Sequence, residues 1–497
     1  MASNSQRPFI KRFKTQRAYY VYDVNTNRIL TVDGVIYELL GDYGHLTLEE
    51  IRQKYTPRYG EQRVEQALDE IEDARNNENL FLPDRPQALS FGLTPDELQH
   101  ACTTKLGSMN LEVTEHCNLR CHYCTVEYNR TNERKRMSTK TALAAIDFFY
   151  THSSDVSDIK WRFLGFYGGE PLLEFELIRR CVDYARAKFG SDGVRFTLTT
   201  NGVLLDENKA GYFAENQFNI FVSVDGPQRI HDKHRVDRAG NGSYERTING
   251  LRSLLRAYGA DAPGKVGIMM TATPPYDLDA LNDLWEEQPW LPKNIYAHVS
   301  SVDTAWTNFL HDYPCNQSSD ISRRSKENQR LSFKRKALQE EPDASPISKS
   351  LFENDLLRIY KRSFFHAPRK FYYLNGCCFP GIRRLFVTCD GTFHICERTH
   401  GAPAIGSIWT GYDLSGIRGI IDDYAKESIH DCRRCWAVAL CSLCFAQAYF
   451  NGKFSIEHKR KFCQSLRTSL EKRLKLYCSI LEENPHAFDY MKEMELI

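Results

Sequence analysis

From residue 107 onward the chain alternates between two apolar patterns. Short apolar or alternating runs at 109–114, 162–167, 195–200, 218–224, 266–273 and 294–302 read as strands. Between them, apolar positions recur at helical spacing. Ser138 caps one such stretch and turns Ala142, Ala145, Ile146 and Phe149 to one face. Ser243 caps another, with Ile248, Leu251, Leu255 and Tyr258 inward and Gly259 as its stop. Strands and helices in regular alternation imply an α/β fold, a parallel sheet with helices outside.

The flanks differ. Residues 1–17 are polar and basic and read as a disordered tail. Strands are expected at 18–23 and 28–32, joined by a turn at 24–27. Helices are expected at 34–40, after the capping box of Thr47 and Glu50, and at 61–77, where Val64, Leu68 and Ile71 share a face. Residues 80–82 are a candidate closing strand. Residues 18–85 thus form a winged-helix-like module, 86–106 a linker, 107–302 the α/β region and 303–370 a charged bridging segment or lid with a helix near 351–363. A Cys-rich region at 371–470 and a helical tail at 471–497 complete the chain.

Composition narrows the class. The 497 residues carry a formal charge of +1, which argues against a general nucleic-acid binder. No apolar run is long enough to cross a bilayer, and the N-terminus lacks a signal-peptide core. A cytoplasmic location with reduced thiols follows as the expectation, so the 16 cysteines read as ligands or buried apolar groups. Cys102, Cys181, Cys315 and Cys478 stand alone and read as buried hydrophobes. The others gather at 117–124 and 377–463.

The first group is Cys117-Asn-Leu-Arg-Cys121-His-Tyr-Cys124, directly after a predicted strand. Three thiols at this spacing can each hold one iron of a cubane and leave one iron open. Zinc is the alternative, with His116 or His122 as fourth ligand. Tyr167-Gly-Gly-Glu-Pro171, Thr199-Thr-Asn-Gly202 and Ser223-Val-Asp-Gly226 each end a later strand, where barrel folds carry their chemistry.

These four ordered motifs resemble the radical S-adenosylmethionine (radical SAM) superfamily over about residues 107–302. The resemblance implies a partial (β/α)6 barrel and a [4Fe-4S] cluster on Cys117, Cys121 and Cys124. It also implies S-adenosylmethionine chelated at the open iron and cleaved to a 5′-deoxyadenosyl radical. Tyr123, Gly168, Gly169, Glu170, Thr199, Asn201, Ser223 and Asp225 match its cofactor-binding positions, and Arg235 resembles a further position near the ligand, with a surface salt bridge as the alternative.

The second group resembles the SPASM extension of that superfamily, which typically holds two auxiliary [4Fe-4S] clusters. On that pattern Cys432, Cys435, Cys441 and Cys463 hold one cluster. Cys396, Cys444 and Cys378 (or its neighbour Cys377) hold the other. The gap from Cys441 to Cys444 is one residue shorter than the family's. A zinc-ribbon-like site on 432–444 is the alternative.

Residues 18–85 resemble the precursor-recognition domains of enzymes that modify ribosomally made peptides, which bind a leader peptide by strand addition. A DNA-binding winged helix would want a basic recognition helix, and 61–77 is acidic.

The combination implies a maturase joining a Cys sulfur of a precursor peptide to a carbon, as in sactipeptides and ranthipeptides. An electron donor such as flavodoxin or ferredoxin would serve it. Alternatives are peptide C–C or C–O cyclisation, epimerisation, and anaerobic sulfatase-type oxidation of Cys or Ser. An iron–sulfur redox regulator is the non-enzyme alternative. No acid or base is assigned; Cys315, Cys389 and the tyrosines are candidates by type alone.

Overall fold

The computed structural model describes residues 6–125, 133–155, 161–302, 307–313, 319–339, 345–374, 376–398 and 401–495. Its internal contacts divide the chain into two units. One comprises Met1–Leu93, Asn354–Cys378 and Arg418–Ile497, the other Thr94–Glu353 and Phe379–Ile417. Cys315 lies outside the described residues.

In the first unit, β1 (Ile10–Lys14), β2 (Tyr19–Asp23) and β3 (Arg28–Val32) form an antiparallel sheet in that order. Helices α1 (Gly34–Asp42), α2 (Leu48–Tyr59) and α3 (Glu61–Glu78) follow, and the Thr47–Glu50 capping box is present. Val21, Ile36, Leu39, Ile51, Val64, Leu68 and Ile71 form their common core. The expected basic tail is therefore in part a strand. β1 escapes a hydrophobicity reading because its cations lie over the rest of the unit: Lys11 pairs with Glu471 at 2.7 Å, while Phe13 stacks on Tyr20. Residues 80–82 are not a strand; Leu80 and Phe81 simply fill the core.

A short β4 (Ala88–Leu89) lies in the expected linker, and α4 (Pro95–Thr104), with a capping box at Thr94, occupies most of what remains of it in the second unit. Capping chemistry there outweighed the polar composition.

In the second unit, β5 (Ser108–Thr114), β6 (Phe163–Gly168), β7 (Arg195–Thr200), β8 (Asn219–Ser223), β9 (Val266–Ala272) and β10 (Tyr296–Ser301) are parallel and adjacent in sequence order. This is an α/β fold with the partial radical SAM-type parallel sheet that the resemblance implied. Helices α5 (Thr139–Thr151), α6 (Phe175–Phe189), α7 (Glu207–Glu215), α8 (Gln228–His234) and α9 (Tyr244–Tyr258) connect the strands. Alternation along each strand separates two faces. Leu111, Leu164, Phe166, Leu198, Ile220, Val222 and Ile268 are buried, as residues under a helical layer are. The other face carries half-buried Glu112, Tyr167, Thr199, Ser223 and His298.

Two features extend this layout. The sheet has eight strands, because β12 (Arg384–Val387) pairs parallel with β5 and β13 (Phe393–His394) pairs antiparallel with β12. β11 (Phe371–Tyr372) pairs with β4 in the first unit. The charged bridging segment contains α10 (Asp320–Ala337) and α11 (Pro346–Tyr360). α10 is held by specific polar contacts rather than an apolar stripe: Gln329 donates to Asp279 at 2.7 Å and Ser322 accepts from the Tyr276 amide. In the first unit, α12 (Leu414–Cys432) ends on a cysteine, and α13 (Ile456–Leu481) runs unbroken through the boundary expected at 470. Among the described residues no helix is long and apolar enough to cross a membrane.

Truncating Ile71 to Ala would open a cavity in a fully buried site and is expected to cost about 2–5 kcal/mol. Hydrogen–deuterium exchange checks this: amides of β1–β3 and α1–α3 should exchange faster, with α5 amides as internal reference.

Candidate functional site

The loop 115–124 follows β5 without regular structure, so its shape is imposed from outside. The amides of Gly169 and Glu170 donate to Thr114 O and His116 O, each at 2.8 Å. This close approach requires glycine. Gly168 has φ of 129°, and a Cβ on Gly169 would stand 2.1 Å from His116 O. On the opposite side the Arg120 amide donates to Val236 O and the His122 amide to His234 O.

Glu170 is fully buried and ties two strand ends together. Its carboxylate accepts from Thr200 Oγ1 at 2.7 Å, the Asn201 amide at 2.8 Å and the Leu172 amide at 3.0 Å. Burial raises its pKa, and these three donors oppose the rise. Asn201, so placed, donates through Nδ2 to Asn118 Oδ1 at 2.8 Å and lies 3.7 Å from Cys117 Sγ. The Leu119 amide also donates to that sulfur, at 3.4 Å.

Tyr123 is fixed from beneath. Its hydroxyl donates to Asp225, which also accepts Arg235 Nε at 2.9 Å, Arg235 Nη2 at 3.1 Å and the Thr271 amide at 2.8 Å. Asp225 and Arg235 are both buried, so this is an interior ion pair rather than a surface one, and the guanidinium lies 5.5 Å from the Tyr123 ring centre. Ser243, expected to cap α9, instead donates to Arg235 O and contacts His231 Nε2. Thr199 and Ser223 point to the half-buried face of the sheet, with Tyr167 and His298. Burial depresses the His298 pKa, and the charge of Arg398 adds to that.

Burial pushes the Cys117 thiol to about 11 and Cys121 to about 12, and the charges of the three loop thiols act on one another. Binding a metal here would therefore release protons. Zn–S bonds of about 2.3 Å would bring the ligand sulfurs to about 3.8 Å from one another. Among the described residues only Glu112, Glu115 and Cys389 converge to within 4.8 Å, so neither the loop thiols nor the C-terminal set is gathered around a single ion. His122, the alternative fourth ligand, stacks on Tyr313 and contacts His234. The donor set fits a cluster better than zinc. Cys389 is buried and its thiol donates to Glu112 O at 3.0 Å.

In the first unit, Cys432, Cys435, Cys441 and Cys463 line a cavity of about 600 Å³. Burial pushes Cys441 to about 12 and also raises Cys432 and Cys463. Lys459, which the sequence reading missed, is 2% exposed with Nζ 3.5 Å from Cys432 Sγ. Its spacing of four from Cys463 puts both on one face of α13 and was the available signal. Cys378 is exposed, whereas Cys377 is buried, donates to Leu443 O and feels the charge of Cys444. Of this adjacent pair, Cys377 is turned inward and Cys378 outward. Cys396 follows β13 in the second unit and acts electrostatically on Tyr167, as does Cys124.

A parallel α/β sheet with a half-buried three-thiol loop at its C-terminal edge is a layout suited to holding an iron–sulfur cofactor. Residues 111–284 match the family model of the radical SAM superfamily, so the chain carries a radical SAM domain over those residues. The domain implies S-adenosylmethionine and a four-iron cluster.

An uncharacterised protein of Methanocaldococcus jannaschii is 33% identical over 148 residues, 30% of this chain and 48% of its own length. A cysteine-type anaerobic sulfatase-maturating enzyme of Clostridium novyi is 29% identical over 147 residues, 29% of this chain and 38% of its own length. The chain thus spans about half or less of the curated relatives it matches. The solved structure of native anSMEcpe with bound AdoMet superimposes with a TM-score of 0.54 at 16% identity, covering 78% of this chain and 100% of that one. The same protein has been solved with AdoMet and a Cp18Cys peptide.

Gly169→Ala is expected to displace the cysteine loop. Iron and sulfide per chain after anaerobic reconstitution should fall as far as in Cys117→Ala, with the far-ultraviolet circular dichroism unchanged.

Proposed function

We propose that this chain is a peptide maturase that installs a crosslink, a Cys-sulfur-to-carbon thioether, in a ribosomally made precursor peptide. The observation that carries the reading is the second thiol set. Cys432, Cys435, Cys441 and Cys463 line a cavity of about 600 Å³, which supports an iron site beyond what a radical SAM domain needs for its own cluster. A second auxiliary cluster on Cys396, Cys444 and one of Cys377 and Cys378 is proposed from the sequence pattern.

When bound at Cys117, Cys121 and Cys124, the cluster and S-adenosylmethionine supply one-electron chemistry that removes a hydrogen atom from an unactivated carbon. The chain's own groups bind and orient. Asn201 directs an amide N–H toward Cys117, and Tyr123 presents a ring fixed by Asp225 and Arg235. Gly168, Gly169, Thr199 and Ser223 hold the methionine and ribose portions. Glu170 and Asp225, whose oxygens are engaged within the protein, act by positioning. Thioether formation removes the carbon's hydrogen, the thiol proton and one electron. An auxiliary cluster held by Cys432, Cys435, Cys441 and Cys463 would accept that electron, and a flavodoxin- or ferredoxin-like donor would supply the one that starts the reaction.

Residues 18–85 are proposed to bind the leader. β3 is an edge strand of its sheet, and among the described residues no strand pairs with its outer edge, the arrangement strand addition uses. The second reading is oxidation of a Cys or Ser side chain, as in anaerobic sulfatase maturation. The likeness to anSMEcpe and to the Clostridium novyi enzyme favours it.

Anaerobic co-expression with a short peptide encoded nearby, followed by intact mass with and without thiol alkylation, tests the proposal. Loss of two hydrogens with loss of one alkylatable thiol is expected. Loss of sulfur with gain of a hydrazide-reactive aldehyde would replace it by the second reading. Loss of two hydrogens with every thiol alkylatable would mean C–C or C–O closure. Thr31→Pro, which removes a backbone donor from β3, is expected to weaken leader binding at least tenfold by fluorescence anisotropy and to leave iron content unchanged.

A further inference from the structure

An ammonium group is almost never fully buried unless something compensates its charge. Lys459 is 2% exposed. It sits in the second turn of α13, whose N-cap Ser455 accepts from the His458 amide. Among the described residues Lys459 forms no ion pair with a carboxylate. The nearest acid on the same rim, Asp431, is taken by Arg460 through two contacts, at 2.7 and 3.1 Å. What Lys459 does meet is Cys432 Sγ at 3.5 Å and the face of Tyr424 at 5.1 Å. Cys441 and Cys463 are the other groups close enough for their ionisation to act on it.

Four neutral thiols would leave this cation buried without a counter-charge. Four thiolates around a cubane supply one, because such a cluster is an anion and becomes more so with each electron it accepts. A fixed cation at hydrogen-bonding distance from one ligand sulfur therefore favours the reduced state over the oxidised one. Net charge and hydrogen bonds to sulfur are two of the levers that set iron–sulfur potentials, and Lys459 supplies both from one side chain.

We infer that Lys459 is the built-in counter-cation of the auxiliary cluster in the first unit, raising its reduction potential so that the cluster serves as an electron acceptor. The inference rests on the reading that Cys432, Cys435, Cys441 and Cys463 hold a cluster. Its test separates the two.

The measurements are iron and zinc per chain, and the midpoint potential of the cluster by electron paramagnetic resonance-monitored redox titration. They are made on the full chain carrying Cys117→Ala, Cys121→Ala, Cys124→Ala, Cys396→Ala and Cys444→Ala, so that neither the radical-generating cluster nor the other auxiliary cluster contributes. In that background Cys432→Ala should lower the iron content; if iron is unchanged, or zinc is found instead, the cluster reading itself fails. Lys459→Met keeps the length and apolar stem but removes the charge. It is expected to lower the potential by the equivalent of at least a tenfold change in the reduction equilibrium, about 59 mV for one electron. Lys459→Arg should restore most of the wild-type value. A loaded Lys459→Met cluster with an unchanged potential overturns the inference and leaves the cluster reading standing. If Lys459→Met fails to load iron, loading restored by Arg but not by Gln supports a charge role. Failure of all three variants to load overturns it in favour of simple packing.

Discussion

The functional region depends on one backbone contact: the glycine pair after β6 pressed against the start of the cysteine loop. That loop has no helix or strand of its own to shape it, and two of its thiols, Cys117 and Cys121, must nonetheless be held where burial opposes their ionisation. Two amides from the Gly168–Glu170 turn take up the Thr114 and His116 carbonyls, and no side chain fits in between. Glu170 then carries the same constraint onward to Thr200 and Asn201, and Asn201 returns it to Cys117. The loop is one face of a closed circuit of hydrogen bonds across the ends of β5, β6 and β7.

A second circuit holds the other side of the loop. Asp225 gathers Arg235, Tyr123 and the Thr271 amide, and Ser243 and His231 brace the segment that bears Arg235. An interior ion pair of this kind gains little net stability over an apolar substitute, yet removing one partner strands the other. Its value here is definition: a ring next to the thiols is fixed in one orientation.

Much of this was legible in the sequence, because strand-end motifs report backbone needs. The Gly-Gly-Glu-Pro turn, the Asn after β7 and the six strands could all be read from residue type and period, as could the capping box at Thr47 and the N-cap at Ser138. What was hidden depended on partners remote in the chain. β1 looked like a basic tail because the groups that take its cations are tertiary partners: Tyr37 and Glu38 carbonyls for Arg12 and, hundreds of positions away, Glu471 for Lys11. α10 looked like a charged loop because it is tied down by Ser322 and Gln329 rather than by an apolar stripe. Ser243 carried a capping signal that a tertiary contact overrode. The choice between Cys377 and Cys378 could not be made locally, since adjacent side chains diverge and only the fold decides which turns inward. Lys459 was hidden for the opposite reason: lysines on a helix are ordinary, and only burial marks this one.

α13 also fixes a length. It carries Cys463 near its start, and its C-terminal cap, Glu482, accepts from Thr15 and Tyr20 of the small antiparallel sheet. At about 1.5 Å per residue, the helix holds these two positions about 28 Å apart. Between them the helix also takes Lys11 of β1 through Glu471, and Trp436 on the cavity wall meets both Lys11 and Tyr22. Sheet and cavity are thus fastened to one rod at several points, so a shift of the helix moves both together.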